Sequence, residues 1–215
     1  MAETALREMA EYLSQIDDIS WGMYAFSRDI LRDKVDRAEK KKMIEKAIRC
    51  GQERAERIID NMGTEDPWKL AEKLKLKVEF MDRGQIADRV LFALFTPPDR
   101  IQIMKEPIER AAGNRELTGL ITGEQMEKLI LGHEIFHYLE EEDEEIYTKN
   151  EKIVLWKLFG YESKSTIRAL SEIAGMYFSK KINEFPYSPF ALDILLYYNY
   201  NPDEALKMYR EVISF

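Results

Sequence analysis

Two histidines and a glutamate, spaced as His-Glu-x-x-His, are the residues of this chain whose types and positions most clearly suggest chemistry. His133 and His137 are also the only two histidines among 215 residues. On a helix they lie four positions apart on the same face, so two neutral imidazoles can converge on one zinc ion. Glu134 lies about 100° further round the helix, where its carboxylate can hold a water molecule beside the metal without binding the metal itself. The spacing therefore predicts a zinc site with a general base.

The residues around this motif predict one helix that carries it. Thr122 can cap a helix, with Gln125 three residues later as its capping-box partner, and the apolar pattern then continues through residues 126–139. Apolar residues lie on nearly every side of this segment, which is typical of a central, buried helix. In the alternative interpretation the two histidines are buried for packing alone. Burying two imidazoles without partners is costly, and a metal ion removes that cost because it takes a nitrogen lone pair from each ring. We therefore favour the metal site.

A catalytic zinc site usually takes three protein ligands and keeps a fourth position for water. No third histidine exists, so a carboxylate must complete the set. Asp143, six residues after His137, takes the place of the last ligand in the longer motif His-Glu-x-x-His-x-x-Gly-x-x-His, but Glu140 replaces the glycine at its turn. Glu172 lies in an apolar segment, where a carboxylate needs a metal or a cation as partner, and Arg168, one turn earlier, offers that cation. The apolar setting favours Glu172 as the ligand, with Asp143 as the alternative.

Composition describes a chain that can bury a core and argues against several classes of protein. Because 45% of the residues are hydrophobic, we expect a helical segment at 1–62 packed on a domain at 63–215. No stretch reaches the ~20 apolar residues of a membrane span, and the start lacks the order of a signal peptide, so we expect a cytoplasmic protein with no membrane partner. The lone Cys50 gives the metal no thiolate pair. A net charge of −8 argues against a nonspecific nucleic-acid surface.

Hydrophobic periodicity predicts a mostly helical α+β chain with a small antiparallel sheet just before the motif helix. Before the motif, helices are predicted over about 4–31, 44–62 and 68–74. The first is one helix or two, with Gly22 as its weak point, and the second carries the small residues Gly51 and Ala55, which allow close packing. Strand-like runs follow at 76–80, 90–95 and 101–104. The run Ile101–Met104 is a candidate edge strand that aligns an extended peptide, or equally a core strand.

After the motif, the pattern becomes more mixed. The acidic run Glu140–Glu145 is expected to be a solvated loop rather than a cation site. A helix is predicted around 152–159, and Ser163 or Ser165 is expected to cap another that runs through Lys181. The last helices are predicted at 189–198 and 205–213.

Two segments of the chain together resemble a known family of enzymes. They are residues 131–137, LGHEIFH, and residues 172–179, EIAGMYFS, which begin 35 residues after His137. This pair is similar to the motifs of the ImmA/IrrE-type zinc metallopeptidases, in which a Glu-x-x-Ala-x-x-Phe-Ala helix supplies the third ligand. The four marked places are taken here by Glu172, Gly175, Phe178 and Ser179. The resemblance covers about residues 60–181 and includes a similar helix-then-strand order at 67–78.

The resemblance implies a zincin-like metallopeptidase core, a bound Zn²⁺ and cleavage of a protein substrate. In that case His133, His137 and Glu172 hold the metal, and Glu134 is the catalytic base. The substrate implied is a repressor or other regulator, and because no helix-turn-helix segment is evident, a DNA-binding partner would be a separate protein. The donor that stabilises the oxyanion would be Arg168, a tyrosine or the backbone. The family often carries another histidine just after the motif, which this chain lacks.

A second prediction from a different functional class is a non-catalytic zinc-binding module that regulates or binds another protein. The long N-terminal helices favour this alternative, because they offer a surface for a partner. Glu134 favours the enzyme, because a purely structural zinc site needs its ligands but not a base.

Overall fold

Helices make up most of this α+β chain, and the strands form small sheets. The computed structural model describes residues 6–82, 85–86 and 89–215. Within these ranges the helices are α1 (Leu6–Leu13), α2 (Asp18–Ser27), α3 (Arg37–Met62), α4 (Pro67–Lys73), α5 (Lys105–Ala112), α6 (Gly123–Glu141), α7 (Tyr147–Asn150), α8 (Arg168–Ile182), α9 (Phe190–Tyr198) and α10 (Pro202–Val212). The strands are β1 (Lys77–Met81), β2 (Gln85–Ile86), β3 (Arg89–Val90), β4 (Ala93–Thr96), β5 (Arg100–Met104), β6 (Lys152–Leu158) and β7 (Tyr161–Thr166). None of the helices described is long and apolar enough to cross a membrane.

The first predicted helix is in fact two helices, and the break does not lie at Gly22. The chain turns between α1 and α2, where the Asp17 side chain accepts hydrogen bonds from the backbone N–H groups of Ile19 and Ser20 and so caps α2. Gly22 lies inside α2, and a Cβ atom there would be 2.3 Å from Cγ2 of Ile44. The glycine therefore allows α2 to approach α3, and the prediction of a weak point was wrong. The predicted start at residue 4 lies outside the described residues.

The long helix α3 packs directly on α8 through the stripe of small residues predicted from the sequence. A Cβ atom at Gly51 would lie 2.2 Å from the backbone oxygen of Ala174 and 2.9 Å from the backbone nitrogen of Phe178. Ala55, one turn later, is fully buried. The helix ends as predicted at Gly63, which adopts a left-handed conformation with φ 64°. The close packing of α3 thus fixes the position of α8.

The sheet before the motif helix has the strand order β1-β5-β4. β4 and β5 form the predicted antiparallel hairpin, but β1 pairs with β5 in parallel, so the prediction of an antiparallel sheet was wrong for β1. Parallel strands need a long connection between them, and the segment that joins β1 to β5, which contains β2, β3 and β4, is long enough to provide it. Ile101 and Ile103 on β5 are buried, and β5 is the central strand rather than an edge.

The region after the motif contains a further correction, because residues 152–158 of the helix predicted around 152–159 form strand β6. β6 pairs with β7 in an antiparallel hairpin, and over residues 152–156 its side chains alternate between exposed and half-buried positions, which is typical of a strand. Ser163 and Ser165 lie in β7 and do not cap a helix. At the N-terminus of α8 the backbone N–H of Ala169 instead donates a hydrogen bond to Oδ2 of Asp29 at 2.8 Å.

The last two helices agree with prediction. α9 follows Pro189, and α10 begins at Pro202 with Asn201 as its cap, whose side chain accepts from the Glu204 N–H. Trp21 of α2 stacks on Phe190 of α9 with ring centroids 6.0 Å apart. This contact places α9 beside α2, on one side of the motif helix.

Candidate metal centre

The predicted capping box fixes the start of the motif helix α6. The Gln125 N–H donates to Oγ1 of Thr122 at 3.1 Å, and the Thr122 N–H donates to Oε1 of Gln125 at 2.9 Å. From this start the helix continues through both histidines, whose Nε2 atoms lie 2.9 Å apart. The two rings are nearly perpendicular, with centroids separated by 4.6 Å. The i, i+4 spacing therefore brings one nitrogen of each ring to a common point, as predicted.

Helix α8 brings Glu172 to this same point. Its Oε2 atom lies 3.4 Å from Nε2 of His133, and one ligand atom from each of His133, His137 and Glu172 lies within 4.8 Å of the others. Two imidazole nitrogens and a carboxylate oxygen are donors that divalent transition metals bind well. This cluster could therefore hold a metal ion.

Asp143, the alternative third ligand, lies outside this cluster. Its carboxylate forms an ion pair with Arg54 of α3 and also accepts from the Glu145 N–H at 2.8 Å. These bonds lower the pKa of Asp143, with the Arg54 hydrogen bond as the largest cause. Among the two carboxylates proposed from the sequence, the structure brings only Glu172 to the histidines.

Small residues on α8 set the distance between α8 and the motif helix. A Cβ atom at Gly175 would lie 3.0 Å from Nδ1 and 3.0 Å from Cε1 of His133. Further along, the buried Ser179 hydroxyl donates to the backbone oxygen of Leu129 at 2.6 Å. Gly175 and Ser179 thus both lie at the contact between α6 and α8. The His133 ring fits directly against the α8 backbone.

Glu140 supports His137 and is not part of a solvated loop. Its side chain is only 14% exposed, and its Oε2 lies 3.3 Å from Nδ1 of His137. The Ser171 hydroxyl donates to the same oxygen at 2.6 Å, and the Thr148 hydroxyl donates to Oε1. The prediction of a solvated acidic run was therefore wrong for Glu140. Its position three residues after His137, on the same helix face, is the sequence signal that could have found it.

The environment of each histidine determines which ring nitrogen can bind a metal. If Nε2 of His137 binds the ion, the proton lies on Nδ1, which can donate to Glu140. This carboxylate–histidine pair orients the ring and increases the basicity of the ligand nitrogen. Nδ1 of His133, in contrast, is buried without a hydrogen-bond partner among the described residues. The Nδ1 side of His133 packs against Gly175, whereas Nε2 on the other side of the ring faces Glu172 and His137.

The carboxylates of the centre change the pKa values of their neighbours. Burial lowers the pKa of His133. The hydrogen bond and the negative charge of Glu172 together raise it by more, so the net shift is upward. Burial raises the pKa of Glu172, and His133 lowers it more strongly, so the net shift is downward. Burial also raises the pKa of Glu140, whereas bonds from His137, Ser171 and Thr148 lower it below its usual value. Without metal, the centre therefore favours an imidazolium paired with Glu172.

Comparison with known proteins adds no further assignment. No family model, curated protein or solved structure matches this chain. The chemistry must therefore be argued from the residues of the site.

The three candidate ligands line a cleft of about 640 Å³. One wall is formed by β4 and the residues before it, and the other walls come from α2, α6, α8 and α9. Glu134 also lines the cleft, although its side chain is buried, with 8% exposure. Arg168 lies at the cleft with 89% of its side chain exposed, and its Nε is 3.8 Å from Oε1 of Glu172. The candidate ligands and the candidate base therefore line the same cleft.

Three further polar residues line the cleft and were not found from the sequence: Tyr24, Arg28 and Asp193. The Tyr24 hydroxyl is buried and has no hydrogen-bond partner within the described ranges. Asp193 interrupts an otherwise apolar helix, FALDILLYY, and this interruption is the signal that could have marked it. Tyr24 and Arg28 carry no local signal, because their position depends on how α2 packs in three dimensions.

Proposed function

We propose that this chain is a zinc-dependent endopeptidase with a zincin-like core. The observation that carries the proposal is the convergence of His133, His137 and Glu172 in one cleft that Glu134 also lines. A structural zinc site needs only its ligands and is usually closed, whereas this arrangement adds a carboxylate and open space for a substrate. The similarity of its two motifs to those of ImmA/IrrE-type peptidases supports the same proposal.

The donor set suits zinc. Ligand atoms about 2.0 Å from a tetrahedral zinc ion lie about 3.3 Å from one another. The His133–Glu172 separation of 3.4 Å agrees with this value, and the 2.9 Å between the histidine nitrogens needs only a small opening. Three protein ligands leave a fourth position, as in catalytic zinc sites. Glu140, which bonds to His137, replaces the orienting support that a further histidine could give.

In this proposal Glu134 carries the proton through the reaction. Zinc, when bound, lowers the pKa of water and polarises the scissile carbonyl. Glu134 accepts a proton from the attacking water as the oxygen–carbon bond forms, and donates it to the leaving amine as the carbon–nitrogen bond breaks. Its burial shields the carboxylate from bulk water, and its position on the cleft wall leaves it available to a bound substrate.

Strand β4 supports a peptide as the substrate. Of the described strands only β5 pairs with it in the sheet, so β4 is an edge strand, and its residues Ala93, Leu94 and Phe95 line the cleft. Phe95 of β4 contacts Tyr138 of α6 edge-to-face at 6.1 Å, which holds this edge beside the motif helix. An extended peptide can add to such an edge through backbone hydrogen bonds. By resemblance, the natural substrate is a regulatory protein, such as a separate DNA-binding repressor.

A second candidate is a non-catalytic zinc-binding module that binds a partner protein. The β6–β7 hairpin favours it, because Trp156, Phe159 and Tyr161 are exposed there and could contact another protein. This candidate also retains zinc but does not use Glu134.

The test is to compare wild type with a Glu134→Gln variant, both purified without a metal-chelating resin. We expect about one zinc per chain in both proteins by elemental analysis. Cleavage of peptide libraries and of regulatory proteins should fall about 10²- to 10⁴-fold in the variant, because glutamine cannot accept the water proton. Equal cleavage by both zinc-loaded proteins contradicts the mechanism. Zinc binding without any cleavage by wild type supports the binding module.

A further inference from the structure

Helix α9 carries one carboxylate in an otherwise apolar sequence, and this carboxylate lies on the wall of the cleft. The neighbouring side chains on the same wall are apolar: Phe190, Leu192 and Leu196. Burial raises the pKa of Asp193 to about 7, with His133 and Arg28 lowering it and Glu172 raising it. These interactions place Asp193 near the candidate metal ligands. A carboxylate beside apolar side chains is stabilised by a positive charge, and His133 and Arg28 act on Asp193 only through their charges, without an ion pair to it.

Arg28 does not neutralise Asp193, although it also lines the cleft. Its guanidinium lies 3.2 Å from Oε2 of Glu211 and 4.4 Å from the centre of the Tyr24 ring. No ion pair or hydrogen bond joins Asp193 to any residue in the described ranges. The Tyr24 hydroxyl, on the same side of the cleft, is buried and also without a partner. The Asp193 carboxylate, which lines the cleft and has no bonded partner among the described residues, is therefore open to a bound ligand.

We propose that Asp193 is the specificity-determining residue of a subsite for a cationic group of the substrate. This inference rests on the proposed peptidase function and deepens it. The cation is either the side chain of lysine or arginine near the scissile bond, or the α-ammonium group of the peptide's first residue. Both carry the positive charge and N–H donors that Asp193 can bind.

The surroundings favour a cationic organic group over a second metal ion. Among the described residues, only His133, His137 and Glu172 form a group with metal-ligand spacing, and Asp193 is not part of it. The apolar residues beside Asp193 can contact the methylene groups of a lysine or arginine stem. The net charge of −8 further favours the approach of a basic peptide.

The experiment compares matched peptides on zinc-loaded wild type and on an Asp193→Asn variant. One pair of N-acetylated peptide libraries has lysine or glutamine at fixed positions, and a second pair has a free or an acetylated N-terminus. Mass spectrometry gives the relative cleavage rates. Fluorescence anisotropy gives the binding of the same peptides, with Glu134→Gln added to both proteins so that the peptides stay intact. Asp203→Asn is the matched control, because it removes the same charge from an exposed position on α10.

We expect wild type and the Asp203 variant to prefer one class of cationic peptide by about 10- to 100-fold in binding and in cleavage. In Asp193→Asn the ratio of cationic to neutral peptides should fall toward one. The lysine pair and the N-terminal pair identify which cation is bound. The inference is overturned if wild type shows no preference in binding, or if Asp193→Asn keeps the wild-type ratio. Cleavage of all peptides without preference refutes the subsite but not the peptidase. Absence of any cleavage refutes the peptidase, and the anisotropy ratios still decide the role of Asp193.

Discussion

Replacing Glu140 tests whether the buried part of the acidic run holds His137 in place for a metal. A Glu140→Gln substitution keeps the shape of the side chain and one oxygen acceptor but removes its negative charge. In the structure that charge lies 3.3 Å from Nδ1 of His137, and the Ser171 and Thr148 hydroxyl groups both donate to it. Glutamine can still accept one of these bonds. The substitution therefore weakens the support of His137 without opening a cavity.

The expected loss follows from the role of such supporting carboxylates. Removing the hydrogen-bond partner of a metal-bound histidine typically costs about 10- to 100-fold in metal affinity. We expect about 10-fold for Glu140→Gln, because geometry survives, and up to about 100-fold for Glu140→Ala, which removes both oxygens. These factors correspond to about 1.4 and 2.7 kcal/mol of binding free energy.

The assay is a zinc competition titration against a chromophoric chelator at neutral pH. Glu145→Gln is the matched control, since it removes the same charge from an exposed residue of the same acidic run. Denaturant unfolding of the metal-free proteins separates a change in affinity from a change in fold stability. If Glu140→Gln and Glu145→Gln bind zinc with equal affinity, Glu140 does not support His137 and the reasoning fails.

Three further predictions concern the third ligand, the helix that carries it, and pH. In the same titration Glu172→Ala should lose zinc strongly while Asp143→Ala changes its affinity little, and the reverse order would show that the third ligand is misassigned. Gly51→Ala on α3 should lower the free energy of unfolding by about 1–3 kcal/mol or more, because the new methyl group meets the α8 backbone. Gln52→Ala, on the exposed face of α3, is the control and should have little effect. Urea denaturation measures both. Zinc affinity should fall as pH falls through the raised pKa of His133, and calorimetry in buffers of different ionisation enthalpy should detect the released proton. The same raised pKa stabilises the metal-free fold at low pH, and this contribution should be lost as pH rises through it.

Local sequence rules were sufficient to predict the motif helix and the candidate metal ligands. Thr122 and Gln125 form the expected capping box, and the i, i+4 spacing places both histidines on one face. Glu172 could be selected because a carboxylate in an apolar segment requires a partner, and the partner proved to be His133. These features depend on residues within one or two turns of a helix.

Features that depend on distant parts of the chain could not be predicted in this way. Asp29 caps α8 from a position 140 residues away, and no local pattern connects it to Ala169. The parallel pairing of β1 with β5 depends on the path of the intervening strands. Glu140 looked solvated because five acidic residues follow it directly, although its side chain turns inward to His137 and that of Asp143 pairs with Arg54.

Both imidazoles of the molecule lie in one cleft, which makes the histidine rings a clean spectroscopic probe. Protein labelled with ¹⁵N only in histidine should give ring signals from this centre and from nowhere else. The two rings should differ, because Nδ1 of His137 faces a carboxylate and Nδ1 of His133 has no partner among the described residues. Their nitrogen shifts distinguish a neutral ring, a protonated ring and a metal-bound ring. A polyhistidine tag would cover these signals with its own, so the native chain is the form in which each histidine resonance reports directly on metal binding.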